Sequence, residues 1–357
     1  MRIGIVGGGH TGTVYAAYLA HRGHEVTVFT RSPKRWNEVI SLEDRVEGAN
    51  YSAQLTRITA DEQEFAAEVD AIFVTLPVYA LRRFAQAFAP YASKRHTLYL
   101  SPGNCAREYE VKPLRDKDVT ILGLQRVVFI SRAIEYGKSA VLSGTKPELV
   151  CGVLCGNAEK SADLEELFSI PVRATPAYLP ISLGASNPIL HSSRLRAMVG
   201  DSDPYRVFAD NLAFYETWDD VSSQLFFAMD AERVEVARAF PEVGGNEINR
   251  LTDYYESENF TQLTQKISTI PAFIGIKSPM KTTAHGFQLD YASRYFTEDI
   301  AFGLAHIAQL GKIVNIPTPA ISEMLAWGYT LMPKDSPKLD LAECGFTTKE
   351  SILNFYR

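Results

Sequence analysis

A glycine-rich segment near the start of the chain has the residue types and spacing of a phosphate-binding loop. It directly follows the apolar run of residues 2–6 and precedes an apolar helical pattern. The first glycine permits a tight turn, the second allows the backbone to approach a pyrophosphate, and the third lets the helix pack on the strand. Free N–H groups at the helix N-terminus then bind the phosphates. We therefore predict a dinucleotide site at Gly7, Gly9, His10, Thr11 and Gly12.

The end of the second predicted strand indicates which dinucleotide binds. Sites that prefer NAD usually place an acidic residue there, about 20 residues after the glycines, to bind the ribose 2′-hydroxyl. This chain has Thr30, Arg31 and Ser32 instead, and two further basic residues follow. A guanidinium and a hydroxyl suit a 2′-phosphate, although a solvated basic loop would carry the same residues. We predict NADP(H) as the preferred cofactor, with NAD(H) as the alternative.

The elements that must position this site alternate along the first half of the chain. Short β-branched runs separate helical patterns, which is typical of a parallel sheet covered by helices. The predicted strands are residues 2–6, 25–29, 71–76, 97–100 and 119–122, with shorter runs at 141–142 and 149–154. Beyond about Pro180, long helical patterns replace the strands. The sequence predicts an α/β plus all-α protein, in which a Rossmann-type doubly wound parallel sheet domain (residues 1–180) precedes a helical domain (residues 181–357).

Composition and charge argue against several classes of function. The 36 Lys and Arg residues are balanced by 42 Asp and Glu residues without a basic block, so we predict no nucleic-acid partner. We find no apolar run of the roughly 18 residues that cross a bilayer and no signal-peptide pattern, and we predict a cytoplasmic protein without membrane contact. The cysteines lack the spacing of a disulfide framework or a metal site, so we predict reduced thiols and no metal. They are Cys105, Cys151, Cys155 and Cys344.

Four segments in the second half of the chain carry a resemblance to a known family. They are Asn187 to His191 (NPILH), Asp230 to Phe240 (DAERVEVARAF), Arg294 to Asp299 (RYFTED) and Val314 to Ile321 (VNIPTPAI). Together with the glycine motif, these segments resemble the octopine and nopaline dehydrogenases, also called opine dehydrogenases. The RYFTED and PTP segments are the more specific of the four, and the resemblance spans most of the chain.

The resemblance implies a reaction and the residues that perform it. Members of the family join the amino group of an amino acid to a 2-oxo acid, commonly pyruvate, and reduce the resulting imine with a nicotinamide hydride. The catalytic histidine and aspartate of the family match His191 and Asp299, and an arginine that reaches the cofactor pyrophosphate matches Arg294. From the residues alone, we would favour a half-buried histidine under a helix cap for His191 and a helix N-terminal carboxylate for Asp299. A surface ion pair with Glu298 or Asp299 is the alternative for Arg294.

Cationic side chains are needed as well, because both substrates and the product carry carboxylates. We predict this role for Arg132, Arg194 and Lys281. Arg132 matches an arginine that recurs in the family, but Gln125 and Arg126 replace the Ser and Thr more usual there. This departure leaves the identity of the amino-acid substrate open. The sequence also does not decide between a metabolic and a metallophore role, or the direction of the reaction in the cell.

Two other functions remain open at this stage. A ketopantoate-reductase-like, NADPH-dependent 2-oxo acid reductase shares the architecture, but such enzymes typically use a lysine where this chain offers His191. A non-catalytic NADP-sensing protein could retain the same fold without turnover. The architecture is also compatible with a homodimer formed through the helical domain.

Overall fold

The computed structural model describes residues 1–201 and 203–357, which form two compact units. The first unit comprises Met1–Ser182 together with Tyr356 and Arg357, and the second comprises Leu183–Phe355. The observed division therefore lies two residues beyond the expected one at 180/181. The last two residues group with the first unit, whereas the sequence assigned them to the helical domain.

Strands dominate the first unit and helices the second. The strands are β1 (Arg2–Val6), β2 (Glu25–Phe29), β3 (Val39–Asp44), β4 (Ala49–Gln54), β5 (Arg57–Thr59), β6 (Ala71–Val74), β7 (Thr97–Leu100), β8 (Thr120–Leu124), β9 (Phe129–Glu135), β10 (Ser139–Thr145), β11 (Leu149–Cys155), β12 (Val172–Thr175), β13 (Met280–Thr283) and β14 (Gly286–Leu289). The helices are α1 (His10–His21), α2 (Glu62–Glu68), α3 (Val78–Phe88), α4 (Arg107–Glu110), α5 (Lys112–Arg115), α6 (Ala162–Phe168), α7 (Leu179–Leu183), α8 (Asn187–Val199), α9 (Asp220–Arg238), α10 (Leu251–Tyr254), α11 (Phe260–Thr269), α12 (Ala305–Val314), α13 (Pro319–Leu331) and α14 (Lys349–Tyr356). A π-helical segment, Tyr295–Leu304, leads directly into α12.

The main sheet of the first unit has eight strands in the order β12-β11-β8-β7-β6-β1-β2-β5. Its neighbouring strands run parallel except for β8 and β11, which are antiparallel. Strand order reverses at β1 and β6, and ligands of such sheets bind at the carboxyl ends of the strands on either side of this reversal. The glycine motif follows β1 directly and so lies at that position. The predicted doubly wound sheet is confirmed.

A second, four-stranded sheet of order β4-β3-β10-β9 was not predicted as a unit. Helix α1 contacts strands of both sheets, which explains why residues 12–19 are buried on every side of the helix. A helix that is apolar all round requires such a position. The second sheet therefore fixes the helix whose N-terminus is formed by the glycine motif.

The second unit is mainly helical, with one antiparallel hairpin of β13 and β14 added to the predicted helices. A buried ion pair within α9 organises it. Arg233 donates to Asp230 Oδ1 at 2.7 and 3.0 Å and to the backbone oxygens of Leu183 and Asn249, while Asp230 Oδ2 accepts from the backbone N–H of Leu251. Because both charged groups are fully hydrogen-bonded, their burial is tolerated.

The neighbouring Glu232 links two of the segments that carry the family resemblance. Its carboxylate accepts the backbone N–H groups of Ala320 and Ile321 at 2.7 and 2.9 Å, in the first turn of α13. This carboxylate satisfies two donors that a helix start leaves unpaired. The DAER and PTP segments are therefore structural partners that hold α9 and α13 together.

Among the described residues, no helix has the length and apolarity needed to cross a bilayer.

Candidate nucleotide and catalytic sites

The glycine motif adopts the geometry that a dinucleotide requires. Gly7 has φ +104°, in the left-handed region that favours glycine. A side chain at position 12 would collide with the carbonyl oxygen of Gly7, so only glycine permits this approach of helix and strand. A Cβ at Gly9 would meet no atom within 4 Å, which leaves this part of the backbone open to a ligand. The loop therefore fits a bound pyrophosphate.

The start of α1 keeps its donors available for an anion. The helix begins at His10 without a side-chain cap and without an acidic residue in its first turn. Thr11, its second residue, is half-buried. The ring of His10 is held in place because its Nδ1 accepts the backbone N–H of Ala133 at 2.9 Å. This contact joins the start of α1 to β9, the strand on which the neighbouring Arg132 is exposed.

The residues after β2 form a basic, partly aromatic surface. Thr30 Oγ1 accepts the backbone N–H of Ser32 at 3.3 Å and hydrogen-bonds to the Tyr136 hydroxyl at 2.9 Å. The guanidinium of Arg35 lies 4.7 Å from the centre of the Tyr136 ring, while Arg31 is exposed. Cationic and hydroxyl groups thus lie together at the end of β2.

Two aromatic residues that were not predicted from the sequence support this region. Trp36 and Tyr136 meet edge to face with ring centres 5.8 Å apart. Side-chain atoms of both would collide with a Cβ at Gly8. They therefore brace the phosphate loop, and their positions far apart in the chain gave no signal of this contact.

In the second unit, α8 and the π-helical segment bring His191 and Asp299 together. His191 Nδ1 lies 2.7 Å from Asp299 Oδ2, and the two side chains are 3% and 9% exposed. Because an ionised carboxylate can only accept, Nδ1 carries the proton of this hydrogen bond and Nε2 is left as the basic nitrogen. His191 and Asp299 form a dyad that has the geometry of a histidine oriented by a carboxylate.

Two tyrosines complete the surroundings of His191, and neither was predicted from the sequence. The Tyr215 hydroxyl lies 2.9 Å from His191 Nε2, and the Tyr295 ring stacks on the imidazole with centres 4.0 Å apart. Burial raises the pKa of Tyr215 well above its usual value, and the nearby Tyr295 and Asp299 add to this effect. Tyr215 lies between predicted helices, whereas Tyr295 belongs to the RYFTED segment and could have been inferred from it.

The π-helical geometry explains the place of Arg294. Hydrogen bonds of a π-helix join residues five apart, and such segments are frequent at functional sites. Arg294 precedes Asp299 by five residues, and its guanidinium lies 5.7 Å from the centre of the Tyr295 ring. Loss of surrounding water lowers the pKa of Arg294. The charges of Asp299, Tyr295 and Glu298 together raise this pKa by a larger amount, so the net shift is upward. Arg294 therefore stays cationic beside the dyad.

Arg194 was predicted to bind a substrate carboxylate, but in the structure its guanidinium makes hydrogen bonds within the protein. Its guanidinium is buried and donates to the Phe214 carbonyl at 3.1 Å, to Asp219 at 3.0 Å and to Thr217 Oγ1 at 2.6 Å. These bonds fix the segment that carries Tyr215. Lys281, by contrast, is exposed on β13, opposite Gln288.

Comparison with known proteins gives matches in both halves of the chain. A model of the α-helical domain of NAD/NADP octopine/nopaline dehydrogenase matches residues 174–332, and a model of ketopantoate reductase matches residues 3–123. An opine dehydrogenase of Haliotis discus hannai is 26% identical, with 93% of this chain and 90% of the relative covered. An octopine dehydrogenase of Mizuhopecten yessoensis is 24% identical, covering 94% and 90%.

A solved structure of octopine dehydrogenase with NADH and L-arginine has the same fold. Its TM-score is 0.85 at 21% identity, with 98% of this chain and 97% of that chain covered. The nucleotide loop, the doubly wound sheet and the helical unit define a two-unit NAD(P)-dependent oxidoreductase. The match of the helical unit and the similarity to these relatives support an opine dehydrogenase family member. The predicted family and fold class are thereby confirmed.

Proposed function

We propose that the protein catalyses the reversible, NADPH-dependent condensation of an amino acid with a pyruvate-like 2-oxo acid through an imine. The single observation that carries the proposal is the buried pair of His191 and Asp299 in the helical unit. The relatives are named opine, octopine and tauropine dehydrogenases, and solved octopine dehydrogenases contain NADH with L-arginine or pyruvate. These names support the substrate classes, whereas the pair of residues supports the chemistry.

Proton transfer is the part of the reaction that the dyad performs. Attack of the amine on the oxo carbon gives a carbinolamine, which loses water only if its oxygen gains a proton. His191 supplies that proton and takes up the one released by the amine nitrogen, while Asp299 holds the imidazole in the required tautomer and stabilises its cationic form. When bound, the nicotinamide cofactor supplies the hydride that reduces the imine carbon.

The remaining predicted residues keep their proposed roles in binding. The glycine motif holds the pyrophosphate, Arg31 with Thr30 and Ser32 holds the 2′-phosphate, and Arg294 binds the cofactor. The preference for NADP(H) rests on the basic surface after β2, with NAD(H) as the alternative. Arg132 and Lys281 bind substrate carboxylates, and Arg194 is withdrawn from this group because its guanidinium holds the segment of Tyr215.

Replacement of the histidine tests the proposal directly. His191→Ala should lower kcat by about 10² to 10⁴ while NADPH binds as before, because the nucleotide loop belongs to the first unit. His21→Ala, at the exposed end of α1, is the matched control and should keep full activity. Normal turnover by correctly folded His191→Ala would refute the assignment.

The ketopantoate-reductase match defines the second candidate function. It covers residues 3–123, which lie within the nucleotide-binding unit. The helical unit instead matches the octopine dehydrogenase model and contains the dyad. Oxidation of NADPH with ketopantoate alone would favour this candidate, while binding without any oxidation would favour an NADP sensor.

A further inference from the structure

Both nitrogens of His191 are engaged, and this poses a question about the path of its proton. Nδ1 bonds to Asp299 at 2.7 Å and Nε2 to the Tyr215 hydroxyl at 2.9 Å. One ring face stacks on Tyr295, and Phe214 packs edge to face at 5.9 Å. A proton that leaves Nε2 therefore meets the Tyr215 oxygen first, unless Tyr215 moves aside.

The packing around Tyr215 favours a fixed position over displacement. Its ring stacks on Phe273 with centres 4.1 Å apart and meets Phe214 edge to face at 4.9 Å. Its backbone lies between the groups that Arg194 binds, the Phe214 carbonyl and the Thr217 hydroxyl. The Tyr215 carbonyl also accepts the backbone N–H of Trp218 at 2.9 Å. Side chain and backbone are thus both held.

The Tyr215 hydroxyl is the group in contact with Nε2, because Tyr295 covers one face of the imidazole and Asp299 holds Nδ1. A hydroxyl donates and accepts at once, so it can take up one proton and pass on another. We propose that Tyr215 forms a hydroxyl relay that carries the proton between His191 Nε2 and the substrate.

The relay balances without any tyrosinate. In the cationic state Nε2–H donates to the Tyr215 oxygen, and Tyr215 O–H donates to the substrate oxygen. When each proton moves one step outward, the substrate gains a proton, His191 becomes neutral, and Tyr215 has exchanged one O–H bond for another. Burial and neighbouring negative charge oppose a phenolate at Tyr215, which suits a group that transmits protons without storing charge.

The inference rests on the proposed function, so its test begins with a wild-type protein that oxidises NADPH only with both substrates. Tyr215→Phe should lower kcat by about 10² or more, with KM and NADPH affinity changed by less than about threefold. Tyr254→Phe, an exposed tyrosine of α10, is the matched control and should behave as wild type. Far-ultraviolet circular dichroism and melting temperature verify folding.

Two results would overturn the relay while leaving the proposed function intact. One is a folded Tyr215→Phe protein with wild-type or higher kcat, which would show that Tyr215 merely covers Nε2. The other is a linear dependence of the wild-type proton-transfer rate on the deuterium fraction of the solvent, because a relay moves several protons in one step and predicts a curved dependence. A wild-type protein without two-substrate oxidation would instead contradict the proposed function itself.

Discussion

His191 Nδ1 and Asp299 Oδ2 lie 2.7 Å apart, although 108 positions separate the two residues in the chain. Asp299→Asn should retain the fold but lower kcat by about 10² to 10⁴. The asparagine amide would donate to Nδ1 and force the proton onto Nε2, so the hydrogen bond with Tyr215 would reverse. Steady-state turnover with saturating substrates measures the effect. Turnover within about threefold of wild type would argue that Asp299 does not orient His191.

Arg31 should determine the choice of cofactor. Arg31→Asp removes a cation from the proposed 2′-phosphate site and adds a carboxylate, which suits a ribose 2′-hydroxyl. The ratio of kcat/KM for NADPH over that for NADH should fall by about 10- to 100-fold, equal to a loss of about 1.4–3 kcal/mol. Lys34→Asp makes the same charge change nearby and is the control. Equal effects of both variants would assign the preference to the general basic surface.

Arg194 should behave as a positioning residue. Arg194→Met removes the three hydrogen bonds to Phe214, Thr217 and Asp219, so the free energy of unfolding should fall by about 2–4 kcal/mol. Urea unfolding followed by circular dichroism measures this. Arg238→Met breaks an exposed ion pair with Glu235 and should change stability by about 1 kcal/mol or less. If Arg194→Met raised KM for the oxo acid with unchanged stability, this result would support the predicted binding of a substrate carboxylate by Arg194.

Glu108 should make the stability of the protein depend on pH. This carboxyl is buried, its Oε1 accepts the Tyr356 hydroxyl at 2.7 Å, and burial raises its pKa from 4.5 to about 7. The folded state therefore binds more protons than the unfolded state between these values. Stability from this group is fully present below about pH 4.5 and is lost as the pH rises through about 7, a change of about 3 kcal/mol.

Glu108→Gln removes this titration while it keeps the size of the side chain. The stability of the variant relative to wild type should improve by about 3 kcal/mol between about pH 5 and about pH 8, as followed by chemical unfolding at each pH. Glu148→Gln, an exposed carboxyl on the same unit, should show no such trend. A constant difference between Glu108→Gln and wild type would show that Glu108 does not titrate in this range.

The sequence predicted those features that depend on short-range pattern. Strands β1, β2 and β7 lie at their predicted bounds because each is a short segment rich in apolar and β-branched residues. Strands β3 and β4 were missed because only alternate residues of β3 are buried and β4 carries Asn50, Ser52 and Gln54, so neither shows an apolar run. β3 and β4 form a hairpin, but the pairing of β3 with β10 is long-range and leaves no local signal.

The same limit applied to the candidate sites. His191, Asp299 and Arg294 could be selected because motif residues recur at recognisable places in the chain. Tyr215 could not, because its role depends on a contact with His191 that only the folded chain creates. The burial of Arg194 could not be predicted either, since an arginine on a helix has the same sequence pattern whether its guanidinium is buried or free.

The central claim is tested most directly by the oxidation of NADPH by the purified protein, followed by the absorbance of the reduced cofactor. Pyruvate and 2-oxoglutarate are each combined with a panel of amino acids, and every substrate is also supplied alone. The account predicts oxidation that requires both an oxo acid and an amino acid, with a secondary-amine dicarboxylate as product. Oxidation with an oxo acid alone, at a rate that amino acids do not change, would contradict it.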